Sequence, residues 1–389
     1  MNDLPSMTLE EKIAQLFVLR VYGSTADTTD PAAVEHNRAA YGVDNAAALI
    51  STYQPGGVVY FRDCGNIENP VQVARLSNTI QEAALGRKEG TSVPVLIATD
   101  QEGGRVARMS PPATWFPSAR ALAAAGVERA REVATVMGRE LRAMGIRQNY
   151  SPVADVNVNP DNPAIGDRSF ATEPATVAAF VRAQVRGFQD GGVIPTVKHF
   201  PGHGDTHVDT HNGQATITHN RDEWEQLDLP PFRAALEAGV DAVMTGHLIF
   251  PALDPTGSIA TTSHPIITGV LRDELGFDGV ISTDGLGMSA ARLAHDDVEA
   301  PLKALQAGAD QLLTPPIGAF PAAVKAIRQA VEDGELTTER IDQSVERILR
   351  LKRRAGLFND PMVDLTTAGG VIGARAHQEL ARRLIGSVS

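Results

Sequence analysis

The stretch Gly192-Val193-Ile194-Pro195-Thr196-Val197-Lys198-His199-Phe200-Pro201-Gly202-His203-Gly204-Asp205-Thr206-His207-Val208-Asp209-Thr210-His211 changes character halfway along. Its first six residues are mostly apolar or β-branched and read as a buried strand. The remainder gathers one lysine, four histidines and two aspartates in a loop interrupted by glycine. Such a set makes neither a solvated helix face nor a core. Gathering it is costly unless something polar is bound or transformed there.

The same pattern, a short apolar run ending in a polar residue, recurs along the chain. Strands are expected at 57–61, 93–100, 148–155, 193–199, 242–248, 280–284 and 309–313. Helical stretches fall between them, at 71–84, 176–190, 222–238 and 320–333. A first helix starts at Thr8, where Glu11 completes a capping box ahead of Ile13, Leu16 and Phe17. A late helix aligns Ile341, Val345, Ile348 and Leu349 on one face and stops near Gly356. Continuous apolar strands alternating with helices imply a parallel sheet covered by helices. Seven or more such units favour an α/β fold of the closed (β/α)8 TIM type over an open sheet. Asp100, Asp155, Lys198, His199, His247 and Asp284 all fall at the C-terminal ends of these runs, the rim on which barrel sites are built.

The 389 residues are 43% hydrophobic and can bury a large core. Forty-seven acidic residues stand against 35 basic ones, a net charge of −12. That balance opposes binding to a nucleic-acid backbone. No apolar run reaches membrane-spanning length. The single cysteine, Cys64, excludes an internal disulfide framework and fits the cytoplasm. No signal peptide is visible at Met1-Asn2-Asp3-Leu4-Pro5; a processed secreted or lipid-anchored form is the alternative. Residues 1–373 are expected to form the barrel, with a polar, Ala-rich insertion near 24–45. Residues 374–389 are expected to form a terminal helix that could lead into a second domain.

Several residues invite chemistry, each with a bland alternative. Asp284, in Val280-Ile281-Ser282-Thr283-Asp284-Gly285-Leu286-Gly287-Met288, is either a helix cap or a site carboxylate; the flanking glycines favour close approach of a ligand. Asp100-Gln101-Glu102-Gly103-Gly104-Arg105-Val106-Ala107-Arg108 is either a turn with a structural Arg–carboxylate pair or a clamp on hydroxyls. Its glycines have neither the Rossmann nor the Walker spacing. Arg168 alone would be a loop-fixing residue, whereas Lys198 and His199 abut an apolar strand and need a polar partner or ligand. Asp209 and His211 face one side of an extended segment. The carboxylate can orient the imidazole for proton transfer, or the two form a structural hydrogen bond. The alternation His203, Asp205, His207, Asp209, His211 could suit zinc, but the intervening Pro201, Gly202 and Gly204 oppose one long uniform strand. Chemistry without a metal or cofactor is the expectation.

Taken together, these motifs resemble the β-N-acetylglucosaminidases of glycoside hydrolase family 3. The stretches that carry the likeness, in order, are the one from Asp100 to Val106, Gly166-Asp167-Arg168-Ser169-Phe170, the one from Lys198 to Thr206, Asp209-Thr210-His211, the one from Ser282 to Met288, and Arg347-Ile348-Leu349-Arg350-Leu351-Lys352 with Gly356-Leu357-Phe358. The resemblance implies an irregular family-3 barrel. It implies Asp284 as nucleophile and His211 as general acid/base with Asp209 as its partner. It places Asp100, Arg108, Arg168, Lys198, His199 and Met288 around a terminal N-acetylglucosamine. Thr283 and Gly285 depart from residues common in relatives, which bears on the hydrogen bonding of Asp284. The implied substrate is a small oligosaccharide or muropeptide, hydrolysed with retention. Phosphorolysis is the nearest alternative, followed by β-glucosidase activity, a zinc-dependent hydrolase, and a sugar-binding protein without activity.

Overall fold

A computed structural model describes residues 7–87 and 90–386. Eight parallel strands form one sheet among them: β1 Phe17–Arg20, β2 Gly57–Val59, β3 Leu96–Thr99, β4 Gln148–Asn149, β5 Ile194–Phe200, β6 Ala242–Thr245, β7 Val280–Thr283 and β8 Leu312–Leu313. Each strand pairs with its neighbour in sequence, and β1 also pairs with β8, Phe17 opposite Leu312. A parallel bridge between Ser282 and Gln311 joins β7 to β8 and closes the ring. Helices cover the outside, so the (β/α)8 expectation holds.

The first strand was not among the seven expected. Ile13, Leu16 and Phe17 read equally well as the end of an amphipathic helix. The capping box is present, with Thr8 and Glu11 each accepting from the other's backbone N–H, but a cap fixes only where a helix starts. That helix ends at Gln15, and Phe17 packs edge-on to Phe320 with ring centroids 5.0 Å apart. The region 24–45 contains a helix, Pro31–Tyr41, between β1 and β2. The expected single helix at 222–238 is two, Arg221–Leu227 and Leu229–Glu237, meeting at Asp228. Pro230 and Pro231 can open a helix but lack the N–H needed to continue one. The expected strand 148–155 is interrupted: Gln148–Asn149 form the strand, Pro152 cannot donate, and Val153 rejoins only as a bridge to Lys198. The expected terminal helix runs Arg375–Gly386; its last three residues, 387–389, lie outside the described residues. It is tied to the barrel where Glu140 accepts from Gly373 N and lies 2.7 Å from His377 Nδ1.

Inside the ring, Val18, Val59, Ala98, Tyr150, Met244 and Leu313 form a buried cluster of their own, separate from the large core between strands and helices. Five strands and the residue after β4 contribute to it. Below this apolar layer, Gln148 Nε2 donates to Thr196 Oγ1 at 3.0 Å. Above it the strands end in charged side chains.

The helix Thr338–Arg354 joins the two ends of the ring through Lys352. Its fully buried ammonium donates to Gln15 Oε1 at 2.7 Å, with no carboxylate paired to it among the described residues. Burial pulls this amine down to about 7. The folded state therefore binds the proton less tightly than the unfolded chain, and stability should rise with pH between about 7 and 10. Urea unfolding of the wild type should show that slope, and Lys352→Met should lose it.

Candidate functional site

A cavity of about 1150 Å³ opens at the C-terminal rim of the barrel. Asp100, Arg108, Arg168, Lys198, His199, Asp209, His211, Asp284 and Met288 all line it. Strand ends and the loops after them, far apart in sequence, thus converge in one place. The volume lies just above the roughly 300–1,000 Å³ usual for small-molecule sites.

One wall is a buried ion cluster. Lys198 Nζ lies 2.7 Å from both Asp100 Oδ1 and Glu102 Oε1. Arg168 forks onto the same Glu102, Nε to Oε2 at 2.9 Å and Nη2 to Oε1 at 2.8 Å. Burial alone would push the Glu102 carboxyl up, but Arg168 and Lys198 more than offset it and hold the group far below the usual carboxylate range. Burial likewise lowers Lys198, and Asp100 and Glu102 reverse that to leave it raised. The Arg–carboxylate pair expected within the Asp100–Arg108 stretch is therefore made across loops, with Arg168.

His199 leans on Asp155 behind it. Its Nδ1 is 2.7 Å from Asp155 Oδ2, and Asp155 Oδ1 accepts from His199 N and His203 N. Asp155 is wholly buried; its neighbours outweigh that burial and its carboxyl is lowered. His199 Nε2 lies 3.5 Å from Arg168 Nη2, so the ring links the two groups. The Lys198–His199 peptide is cis.

Asp284 follows β7, and its Oδ1 accepts from Gly285 N at 2.7 Å. Burial raises its carboxyl, but His199, His247, Lys198 and that backbone N–H bring it down to about 2. It is ionised at any ordinary pH. His247 does not line the cavity. It is buried behind Asp284, with Nε2 3.0 Å from Gly285 O and Nδ1 2.8 Å from Thr261 Oγ1, and supports the turn that carries the acid.

The opposite wall is more open. His211 Nδ1 is 2.9 Å from Asp209 Oδ1, which also accepts from His211 N. The His211 side chain is 65% exposed. Burial raises the Asp209 carboxyl, while hydrogen bonds from His211 outweigh it and leave the group lowered. Residues before this pair are well anchored. A Cβ on Gly204 would sit 1.7 Å from Val156 O, so only glycine allows that approach. Asn162 and Asn159, on the loop after β4, donate to His203 O and Thr206 O. Thr210 O accepts from Ala290 N.

The alternating His/Asp set does not converge. His203 bonds Thr206, His207 meets Asn159, Asp205 meets His219, and Asp209 meets His211. Among the described residues no group of three or more His, Cys, Asp or Glu has metal-binding geometry. Arg108 lies apart from the ion cluster, exposed and 5.8 Å from the Phe61 ring centroid. Met288 lies beside Gly285, where a Cβ would be 3.7 Å from Met288 Cγ.

Sequence reading did not single out Glu102 as a site residue, nor the bracing asparagines. Glu102 had a signal in its position two residues beyond a strand-end acid, on the face shared with Asp100. The asparagines had none beyond their abundance. No helix among the described residues is long and apolar enough to cross a membrane.

Comparison with known proteins adds a further finding. The family model described as the glycosyl hydrolase family 3 N terminal domain matches residues 8–351. "Beta-hexosaminidase A" of Pseudoalteromonas piscicida is 37% identical over 359 residues, covering 86% of this chain and 59% of that protein. The chain thus spans less than two thirds of that relative. "Beta-hexosaminidase LpqI" of Mycobacterium tuberculosis is 37% identical over 316 residues, covering 79% of this chain and 78% of that protein. The solved structure of a family 3 β-N-acetylglucosaminidase from Paenibacillus sp. superimposes with a TM-score of 0.87 at 40% identity, over 98% of this chain and 69% of that one.

Glu102→Gln tests the ion cluster. Removing one member of a buried pair should cost about 3–5 kcal/mol at pH 7, read as a fall in Tm. The wild-type carboxyl is depressed on folding, so its contribution is full above the ordinary value near 4 and is lost as pH falls further. The gap between the two proteins should narrow in acid.

Proposed function

Since the chain belongs to glycosyl hydrolase family 3, we propose that it removes terminal β-linked N-acetylglucosamine from small glycans in two steps with retention at the anomeric carbon. The observation that carries this reading is that an ionised Asp284 and the Asp209–His211 pair line the same cavity from two separate loops.

In the first step a carboxylate oxygen of Asp284 attacks the anomeric carbon as the glycosidic C–O bond breaks. Gly285 N–H holds Oδ1 and orients the group. Asp209 occupies His211 Nδ1, which leaves Nε2 to give its proton to the departing oxygen. The product is a glycosyl ester of Asp284. In the second step water attacks the anomeric carbon of that ester, His211 takes the water's proton, and the bond to Asp284 breaks to release the carboxylate.

Asp100, Lys198 and Arg168 supply acceptors and donors for the sugar hydroxyls, with His199, Met288 and Arg108 completing the pocket. Ion pairs among Asp100, Lys198, Glu102 and Arg168 hold those side chains in place before the sugar arrives, which favours reaction over mere binding. The names of the relatives support an N-acetylhexosaminide substrate. Cell-wall fragments and chitooligosaccharides both offer such a terminus. In this reading the barrel of residues 1–373 carries the whole reaction.

Hydrolysis of 4-nitrophenyl N-acetyl-β-glucosaminide, with and without phosphate, tests the proposal. Free N-acetylglucosamine is expected under both conditions; sugar 1-phosphate would assign phosphorolysis instead. Asp284→Ala should lose several orders of magnitude in kcat, and unchanged turnover would overturn its role. His211→Ala should lower kcat/KM on a disaccharide by about 10²–10⁴-fold and on the nitrophenyl substrate far less, because nitrophenolate departs without a proton in the step that kcat/KM reports.

A further inference from the structure

Behind the cavity lies a second histidine held between carboxylates. His219 Nδ1 is 2.7 Å from Asp228 Oδ2, and Nε2 is 3.1 Å from Asp205 Oδ2. None of the three lines the cavity. The His219 side chain is 10% exposed, Asp228 1% and Asp205 29%. An ionised carboxylate can only accept, and a neutral imidazole has a single N–H. Two contacts of this kind need two bridging protons: both on the ring, or one on the ring and one on Asp228.

The three residues come from different elements. Asp205 belongs to the loop that continues to Asp209, four residues on, and His211. Asp228 sits at the junction of the helices Arg221–Leu227 and Leu229–Glu237. His219 immediately precedes Asn220, which caps the first of them in a capping box with Glu223. The same helices grip the start of the loop. Trp224 Nε1 donates to Pro201 O at 2.9 Å. Gly202, at φ +132°, lies so close to Asp228 that a Cβ would be 2.6 Å from Oδ1.

We infer that His219 is a positioning residue, a proton-bearing clamp that ties Asp205 to Asp228 and thereby holds the Asp209–His211 loop in register with Asp284. The inference rests on the reading of His211 as acid/base. The charged groups facing His219 are Asp205, Asp228 and, along its own segment, Glu223, with Asp155 acting on Asp228 from behind. The hydrogen bond to Asp228 raises the imidazolium above its usual value, burial opposing it. The clamp is therefore complete below the ordinary histidine range near pH 6.5, and is lost as pH climbs through the raised value. Once that proton leaves, one ring nitrogen presents a lone pair to a carboxylate, and the loop loses its tether.

Asp205→Ala removes the loop-side acceptor while leaving His219 and Asp228 paired inside the helix junction. Hydrogen exchange over residues 203–213, expressed as protection relative to intrinsic rates, reads the clamp without reference to activity. Wild-type protection should be high at pH 6 and fall by pH 9; Asp205→Ala should be low at both. Its kcat/KM on a disaccharide should drop about 10- to 100-fold, while kcat/KM on a dinitrophenyl glycoside, which reports a first step that needs no acid, stays at the wild-type level. His219→Gln, whose donors share one nitrogen and whose oxygen only accepts, should match Asp205→Ala in protection. Protection in Asp205→Ala equal to wild type at pH 6, or wild-type protection independent of pH, would overturn the clamp. A clamp that behaves as expected, with equal losses of kcat/KM on both substrates, would leave the tether standing and fault the acid/base role of His211 instead.

Discussion

The site depends on keeping a lysine and an arginine charged in the mouth of a barrel whose interior is apolar. Lys198 is buried and would lose its proton there if left alone. Asp100 and Glu102, each 2.7 Å from its ammonium, prevent that, and Arg168 shares Glu102 with it. Each member stabilises the charged form of the next. The positive side of this network also reaches Asp284, whose carboxyl is held low partly by Lys198 and His199. A neutral Lys198 would weaken both the grip on a polar ligand and the ionisation of Asp284.

The two halves of the site have different physical characters. The Asp284 half is recessed, fixed by strand ends and by the buried side chains His247 and Asp155. The His211 half is largely exposed and is held by its loop rather than by packing. These characters suit the proposed roles: a nucleophile gains from a rigid, water-poor setting that keeps its geometry, and a proton shuttle must serve leaving groups of differing shape and then admit water, which an open loop allows.

Much of this was legible in the sequence because barrel strands carry their chemistry at one end. Asp100, Lys198, His199 and Asp284 each follow an apolar run, and nine residues expected in the site do line one cavity. What stayed hidden depended on contacts between distant segments. Glu102 looked like half of a local turn, since nothing in its own stretch reveals that Arg168 will reach it. The bridge from Asp205 through His219 to Asp228 stayed hidden because Asp228 lies in what reads as one continuous helix. The first strand was lost for a different reason: Leu16 and Phe17 satisfy both a helical and an extended pattern, and only the pairing of Phe17 with Leu312 decides between them.

That pairing also has a consequence for biogenesis. The first and last strands lie side by side although about 300 residues separate them, so their contact is among the most non-local in the molecule. During synthesis the leading strand emerges with one edge unsatisfied, and its permanent neighbour is among the last barrel segments to be translated. Until then the exposed edge is open to foreign strands and to premature association. Truncation before Leu312 would leave that seam without its native partner.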